Sequence, residues 1–216
     1  LFGGTIPATA DFMTGIRKVT EKLGILLIMD EVKTGFRVTL GGAQEYYHVS
    51  PDLTALGKVI GAGFPVGIVG GRKDILSLAS PHGSDILDSS NKADAAAVLY
   101  HSGTYNGHPV ILKAGLVTIE ILEKEFDSLI RRTERLKEGI KKIYAGHGIR
   151  VLTPGLGTMF NVVVSDLDHI ETYRDLRKSD FETRKKADYA LLLEGVYNKP
   201  CNRYNMCTAH TEEVID

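Results

Sequence analysis

Three side chains in this sequence could share one piece of chemistry: the amine of Lys58, the carboxylate of Asp30 and the hydroxyl of Thr104. Lys58 stands in Leu53–Gly71, a run of 19 residues with no other charged side chain, although 25% of the whole chain is charged. An amine set among Leu56, Val59, Ile60 and nearby glycines is expected to point into a partly dry pocket. Desolvation there favours the free amine, the form that attacks a carbonyl carbon to make a Schiff base. The alternative is a lysine whose stem lies on an apolar strand while its ammonium snorkels to water.

Asp30 closes the apolar run Ile25-Leu-Leu-Ile-Met29. Length and β-branching in that run predict a strand buried on both faces, hence a parallel sheet with helices on either side. Acids at the carboxyl end of such a strand lie where open α/β sheets bind ligands. Side chains alternate along a strand, so Asp30 and Val32 are expected on one face and Glu31 on the other. Capping of the next segment, or a pair with Arg37, is the structural alternative for Asp30. Thr104 lies in Gly103-Thr-Tyr-Asn-Gly107, just ahead of Pro109. Proline suits a first helical turn, and Val110, Ala114, Val117 and Ile121 continue at helical spacing. Free backbone N–H groups and a hydroxyl at a helix start favour an anion such as phosphate, although a simple Thr or Asn cap has the same pattern.

The elements that must position these groups follow from periodicity. Phe12, Ile16, Val19 and Leu23 predict a helix over residues 11–23, stopped by Gly24. Residues 33–50 read as loop with short helical pieces, Val66–Val69 as a short buried strand, and 72–78 as a short helix. Ser80–Tyr100 is polar and turn-rich, a surface excursion. A second amphipathic helix is expected over 129–144, ended by Gly146 and Gly148. Strands near 149–152, 159–164, 196–197 and 204–207 then mix with a charged helix over 181–193. The change of texture near 145–148 predicts two parts: residues 1–146 in a large α/β domain, and 147–216 in a smaller α+β subdomain.

The chain has 216 residues and a net charge of −1, which gives no reason to expect nucleic acid or an anionic membrane as partner. No apolar run has membrane-spanning length and no secretory leader pattern opens the sequence, so a cytoplasmic location is expected. Cys201 and Cys207 fit neither a redox pair nor a zinc knuckle and are expected reduced. The seven histidines form no metal-binding spacing, so no metal is expected. Gly61-Ala-Gly-Phe-Pro-Val-Gly67 departs from a dinucleotide fingerprint, and Gly57-Lys58 lacks the rest of a phosphate-binding Walker loop. Arg131-Arg132 and Lys141-Lys142 read as solvated helix faces. Leu1 in place of Met, and a helix start at Thr211 with no helix body, read as the ends of a partial, C-terminal-half sequence.

An amine, a carboxylate beside an apolar residue and a phosphate-type loop are together what pyridoxal phosphate (PLP) needs: an aldimine partner, a group that keeps the pyridine nitrogen protonated, and backbone donors for the phosphate. The segments Leu27-Ile-Met-Asp-Glu-Val-Lys-Thr-Gly-Phe-Arg37, Gly41-Gly-Ala-Gln44, Pro51-Asp-Leu-Thr-Ala-Leu-Gly-Lys-Val-Ile-Gly-Ala-Gly-Phe-Pro-Val-Gly67 and Gly103-Thr-Tyr-Asn-Gly-His-Pro109 resemble class III (ornithine/ω-type) aminotransferases. The resemblance leans toward the glutamate-1-semialdehyde 2,1-aminomutase branch and runs from residue 1 to about 197.

That resemblance implies the fold-type I PLP-dependent transferase fold, a mostly parallel sheet in the large domain plus the small C-terminal subdomain, in a homodimer with shared active sites. It implies Lys58 as Schiff-base lysine and proton-transfer base, Asp30 as partner of the pyridinium nitrogen, and Val32 against the ring. Gly103 and Thr104 would take the phosphate of the partner subunit's cofactor. Two departures stand out: the longer 80–100 segment, and Lys199-Pro-Cys-Asn-Arg-Tyr-Asn-Met-Cys207 in place of the aminomutases' usual sequence. In the second, Arg203 is a candidate for a substrate carboxylate, with a surface salt bridge as its alternative. Transamination between a small-molecule amine or amino acid and a carbonyl acceptor is the expected activity. Aminomutase-type intramolecular transfer, a non-catalytic dimerisation module and a nucleotide-binding domain are the competing readings.

Overall fold

A computed structural model describes residues 4–79 and 103–216. The 80–100 excursion lies outside the described residues. The described residues form two compact units, 13–36 with 41–79 and 103–121, and 4–12 with 37–40 and 122–216.

The first of these carries a three-stranded sheet in the order β1 (Ile28–Asp30), β2 (Leu53–Gly57), β3 (Gly67–Gly71). Strands β1 and β2 run parallel, with Met29 opposite Thr54 and Asp30 opposite Ala55. Strand β3 returns antiparallel to β2, from Gly57 opposite Gly67 to Leu53 opposite Gly71. Helix α1 (Ala10–Leu23) spans the predicted range. Gly24 turns left-handed at φ +64° and Ile25 N–H donates back to Thr20 O at 2.9 Å. That six-to-one closure is how a glycine-ended helix satisfies its last carbonyls.

The same closure corrects the strand expected at 25–29. Ile25 is spent on ending the helix, the strand begins only at Ile28, and it is not buried: Ile25, Leu26 and Ile28 are all about half exposed or more. Strand β1 lies at the edge of this sheet, with β2 as its one neighbour among the described strands. Short helices α2 (Gly42–Tyr46) and α3 (Lys73–Leu76) and a 3₁₀ turn at Lys58–Gly61 complete the connections.

Helix α4 (Pro109–Gly146) is one element where two were expected. The stretch Leu122–Ser128, between the two expected helices, holds strong helix formers such as Leu122, Glu123 and Lys124 and neither glycine nor proline, so nothing stops propagation. Arg132 on this helix is buried at 7% exposure, against the expectation of a solvated pair; Arg131 remains exposed.

The other unit builds two small sheets. Strands β4 (Val151–Leu152) and β7 (Val163–Val164) pair antiparallel, and β6 (Met159–Phe160) lies between β5 (Gly155–Leu156) and β8 (Tyr204–Asn205). The continuous strand expected over 159–164 is interrupted because the Asn161 side chain accepts from Val162 N–H at 2.9 Å. No strand forms at Val196–Tyr197, where Tyr197 is exposed. Leu129, Val151, Phe160, Val162, Val164 and Met206 make one core cluster, with Ile215 of the terminal α7 (Glu212–Ile215) packed against it. A second cluster joins Val163 and Ile170 to Leu176 of α5 (Tyr173–Leu176), and α6 (Phe181–Leu193) follows.

Candidate active site

The parallel pairing of β1 and β2 brings the carboxyl ends of both strands to one edge of the sheet. Asp30 is the last residue of β1, and Lys58 follows the last residue of β2. The register places Asp30 beside Ala55, three residues before Lys58.

Each group is held by local backbone chemistry. The Asp30 carboxylate accepts from Val32 N–H at 3.0 Å, which turns the chain out of the strand. Alternation therefore extends from Asp30, exposed, to Glu31, buried, and ends there. Val32 is half-buried and leans on β2: a Cβ added to Gly57 would lie 3.4 Å from Val32 Cγ1 and 3.2 Å from Val66 O. The glycine before Lys58 thus leaves a shallow cradle bordered by Val32.

Lys58 itself has φ +52°, a left-handed conformation that β-carbon-bearing residues adopt at a cost. Its side chain is exposed, so the dry pocket expected from the uncharged run is not formed by the described residues. The physical reason is position: it stands at a strand end rather than within a covered strand, and the apolar neighbours on its own run turn elsewhere, Ile60 being buried. Behind that turn, α4 closes in. A Cβ on Gly115 would lie 2.7 Å from the Ile60 carbonyl oxygen, so the helix that begins at Pro109 packs directly on the 3₁₀ turn carrying Lys58.

Gly103–His108 forms successive turns ahead of α4, with Asn106 N–H bonded to Gly103 O at 3.0 Å and His108 N–H to Tyr105 O at 3.2 Å. Thr104 lies in these turns, exposed, and Gly107 is left-handed at φ +67°. Arg203 belongs to the other unit. It is half-buried, takes Asn202 Oδ1 on its N–H at 2.9 Å and donates from Nε to Asn205 Oδ1 at 3.3 Å. Nearby, burial pulls the Arg37 guanidinium below its usual range; the Cys207 sulfur opposes this and the Arg203 charge adds to it.

Several supporting residues carried no clear signal in the sequence. Glu31 is 1% exposed, and its carboxylate accepts from Ala43 N–H at 3.0 Å, Gln44 N–H at 2.7 Å and the Thr34 hydroxyl. It fixes the loop that follows Asp30 onto the first turn of α2. Asp52, at the start of β2, binds Arg17 at 2.9 Å, Arg72 at 2.8 Å and Leu27 N–H at 2.8 Å. The Leu27 N–H first, then Arg72 and Arg17, hold its carboxyl well below the usual range. Among the described residues, no cluster of three His, Cys, Asp or Glu side chains could hold a metal ion, and both cysteines are free.

A family model described as aminotransferase class III matches residues 2–210. Glutamate-1-semialdehyde 2,1-aminomutase of Natranaerobius thermophilus is 37% identical across 99% of this chain and 47% of its own length. The protein of the same name from Pyrobaculum islandicum is 39% identical across 99% of this chain and 48% of its own. An ω-transaminase from Sphaerobacter thermophilus superposes with a TM-score of 0.83 at 29% identity, covering 99% of this chain and 46% of that one. The chain thus spans about half the length of the curated relatives it matches.

Proposed function

The chain belongs to the class III aminotransferases, and from that premise we propose that it serves PLP-dependent transfer of an amino group between a small-molecule donor and a carbonyl acceptor. Its fold is the fold-type I α/β transferase fold, with TM-score 0.83 to a transaminase of 29% identity. The observation that carries the functional reading is the β1–β2 register, which sets an amine and a carboxylate at one sheet edge. The reading is supported further by the chemistry of the residues: an amine at Lys58, a carboxylate at Asp30 and the apolar Val32 beside Gly57 are the groups that an aldehyde, a pyridine nitrogen and a flat ring call for.

In this reading Lys58 would hold the cofactor covalently, Asp30 would hold the proton on its ring nitrogen, and Val32 would pack against its ring. When bound, PLP supplies an electron sink for the pair released at the substrate's amine-bearing carbon. Lys58 Nζ, as the base beside that carbon, would take its proton and return it. Gly103 and Thr104 would hold the phosphate of the partner subunit's cofactor, so the reading includes a homodimer. Arg203 would bind a substrate carboxylate as a forked, charge-assisted pair. Residues 1–146 would be part of the PLP-binding large domain and 147–216 part of the small C-terminal subdomain. The reaction is placed in the cytoplasm; none of the described helices is long and apolar enough to cross a membrane.

Borohydride reduction of the PLP-loaded protein, followed by peptide mass mapping, tests the reading. The pyridoxyl mass is expected on the peptide containing Lys58, and its recovery elsewhere or persistence in Lys58→Ala would overturn the assignment. Aminomutase-type transfer within one substrate is the second reading, favoured by the names of the two curated relatives. A donor panel that includes glutamate-1-semialdehyde separates the two.

A further inference from the structure

Helix α6 (Phe181–Leu193) inverts the usual pattern of a surface helix: its two buried residues are both charged, Arg184 at 4% and Asp188 at 1% exposure. They pair with each other, Arg184 Nε donating to Asp188 Oδ2 at 2.7 Å. The remaining valences reach one short segment. Asp188 accepts from Cys201 N–H at 2.7 Å, from Asn198 Nδ2 at 3.2 Å and from the Tyr204 hydroxyl at 3.3 Å. Arg184 donates to Asn202 O at 3.3 Å and to Val162 O, and its guanidinium carbon lies 5.2 Å from the centroid of the Tyr204 ring. That ring in turn stacks on fully buried Phe160 at 5.3 Å.

The segment so held is not relaxed. Cys201 has φ +56°, a left-handed conformation a cysteine rarely takes, and its N–H is the group Asp188 captures. Apolar side chains of the same volume commonly stabilise a core as well as a buried ion pair does. What the pair adds is direction: its partners fix the chain on both sides of Arg203, at Asn202 and Tyr204.

We propose that Arg184 and Asp188 are positioning residues for substrate recognition, holding the Asn198–Tyr204 segment in one conformation so that Arg203 meets a substrate carboxylate. This rests on the reading of Arg203 given above. The pair touches no substrate; it acts through the backbone it holds, and its loss should affect donors that carry a carboxylate while sparing those that do not.

The experiment uses the PLP-loaded protein and the variants R184M/D188L, D188N and R203Q. Melting temperature, amide hydrogen exchange over 198–205, and KM and kcat are measured for an amino-acid donor and for the matching amine without its carboxylate. In R184M/D188L the exchange is expected to rise about tenfold or more. The amino-acid KM is expected to rise on the order of tenfold, with kcat within about twofold and the amine KM unmoved. D188N should shift the same quantities less, and it decides the matter if the paired variant does not fold. An equal KM rise for both donors, or parental exchange and KM in a folded variant, overturns the positioning role. An R203Q variant with parental amino-acid KM defeats the Arg203 reading alone. Parental KM in the paired variant beside an impaired R203Q defeats the positioning role alone.

Discussion

The Glu31 carboxylate fills the space that a side chain on Gly42 would need: a Cβ built there would lie 2.7 Å from Glu31 Oε2. Gly42 also has φ +80°, so the bare backbone is required twice, once for conformation and once for room. This contact ties the residue after Asp30 to the first turn of α2, where two backbone N–H groups and the helix dipole receive a buried carboxylate.

Gly42→Ala should therefore destabilise the fold by about 2 kcal/mol or more, the sum of left-handed strain and the displaced carboxylate. Urea denaturation measures it, as a lower midpoint at an unchanged slope. Glu31→Gln keeps the shape but places an NH₂ where only acceptors fit, so it should also destabilise. A parental midpoint in both variants would show that this cap does not anchor the loop.

Asp52 makes stability depend on pH in a stated direction. Its folded carboxyl is held below the usual range by Leu27 N–H, Arg72 and Arg17, in that order. Such a group contributes fully above its unfolded pKa, about 4, and the contribution is lost as pH falls through that value toward the folded one. Melting temperature should fall between pH 5 and 3, by less in Asp52→Asn than in the parent. Equal acid sensitivity in the two proteins would remove Asp52 as a cause.

Gly115 separates propensity from packing. In a helix interior Gly→Ala ordinarily gains about 1 kcal/mol. Here the new methyl would meet the Ile60 carbonyl at 2.7 Å, and a backbone atom cannot swing aside. Gly115→Ala should be net destabilising and Gly115→Val more so, read by thermal melting. Because Ile60 and Lys58 share one 3₁₀ turn, the same variants should also weaken PLP binding; a stabilised Gly115→Ala would show that α4 does not press on this turn.

How far the sequence revealed this site depended on how local the governing interactions are. Helix α1, the turn before Pro109 and the position of Asp30 at a strand end follow from neighbours in the chain, and the local pattern shows them; β2, which sets Lys58 at a strand end, does not show in the uncharged run. The exposure of Ile25, Leu26 and Ile28 does not, because a run of apolar residues says that a face must be covered and not which residues cover it. Lys58 is the same case: an uncharged run implies a dry setting, but dryness comes from elements distant in sequence. Arg184 and Asp188 read as one more i,i+4 pair on a charged helix, and only the return of residues 198–204 makes them interior. The unbroken α4 is not evident from periodicity, although Leu122–Ser128 offers no stop signal: its two apolar stripes read as separate helices.

Asp30 offers a separation of fold from chemistry. Its carboxylate is exposed and its one bond among those described here is to Val32 N–H, which the oxygen of an asparagine can also accept. Asp30→Asn should keep the parental melting temperature. In the proposed site, however, a neutral amide cannot hold the proton on the ring nitrogen, and turnover should fall on the order of 10²- to 10⁴-fold, the range for a misplaced or missing proton. Stopped-flow half-reactions with an amino donor measure the loss. A fully active, stable Asp30→Asn would exclude Asp30 from the site.

Thr104 carries the last prediction because its role can be read without turnover. If its hydroxyl holds a phosphate, Thr104→Val removes one hydrogen bond to a charged group, worth about 1.5–3 kcal/mol. At about 1.4 kcal/mol per decade, the Kd for PLP should rise roughly 10- to 100-fold. Thr104→Ser, which keeps the hydroxyl, should stay near the parent. Titration of the apoprotein by fluorescence quenching gives both constants. Inorganic phosphate should compete with PLP in the parent and less well in Thr104→Val. A pattern in which Val and Ser variants weaken binding equally would assign the effect to the turn and not to the hydroxyl, and Thr104 would then be excluded as a phosphate ligand.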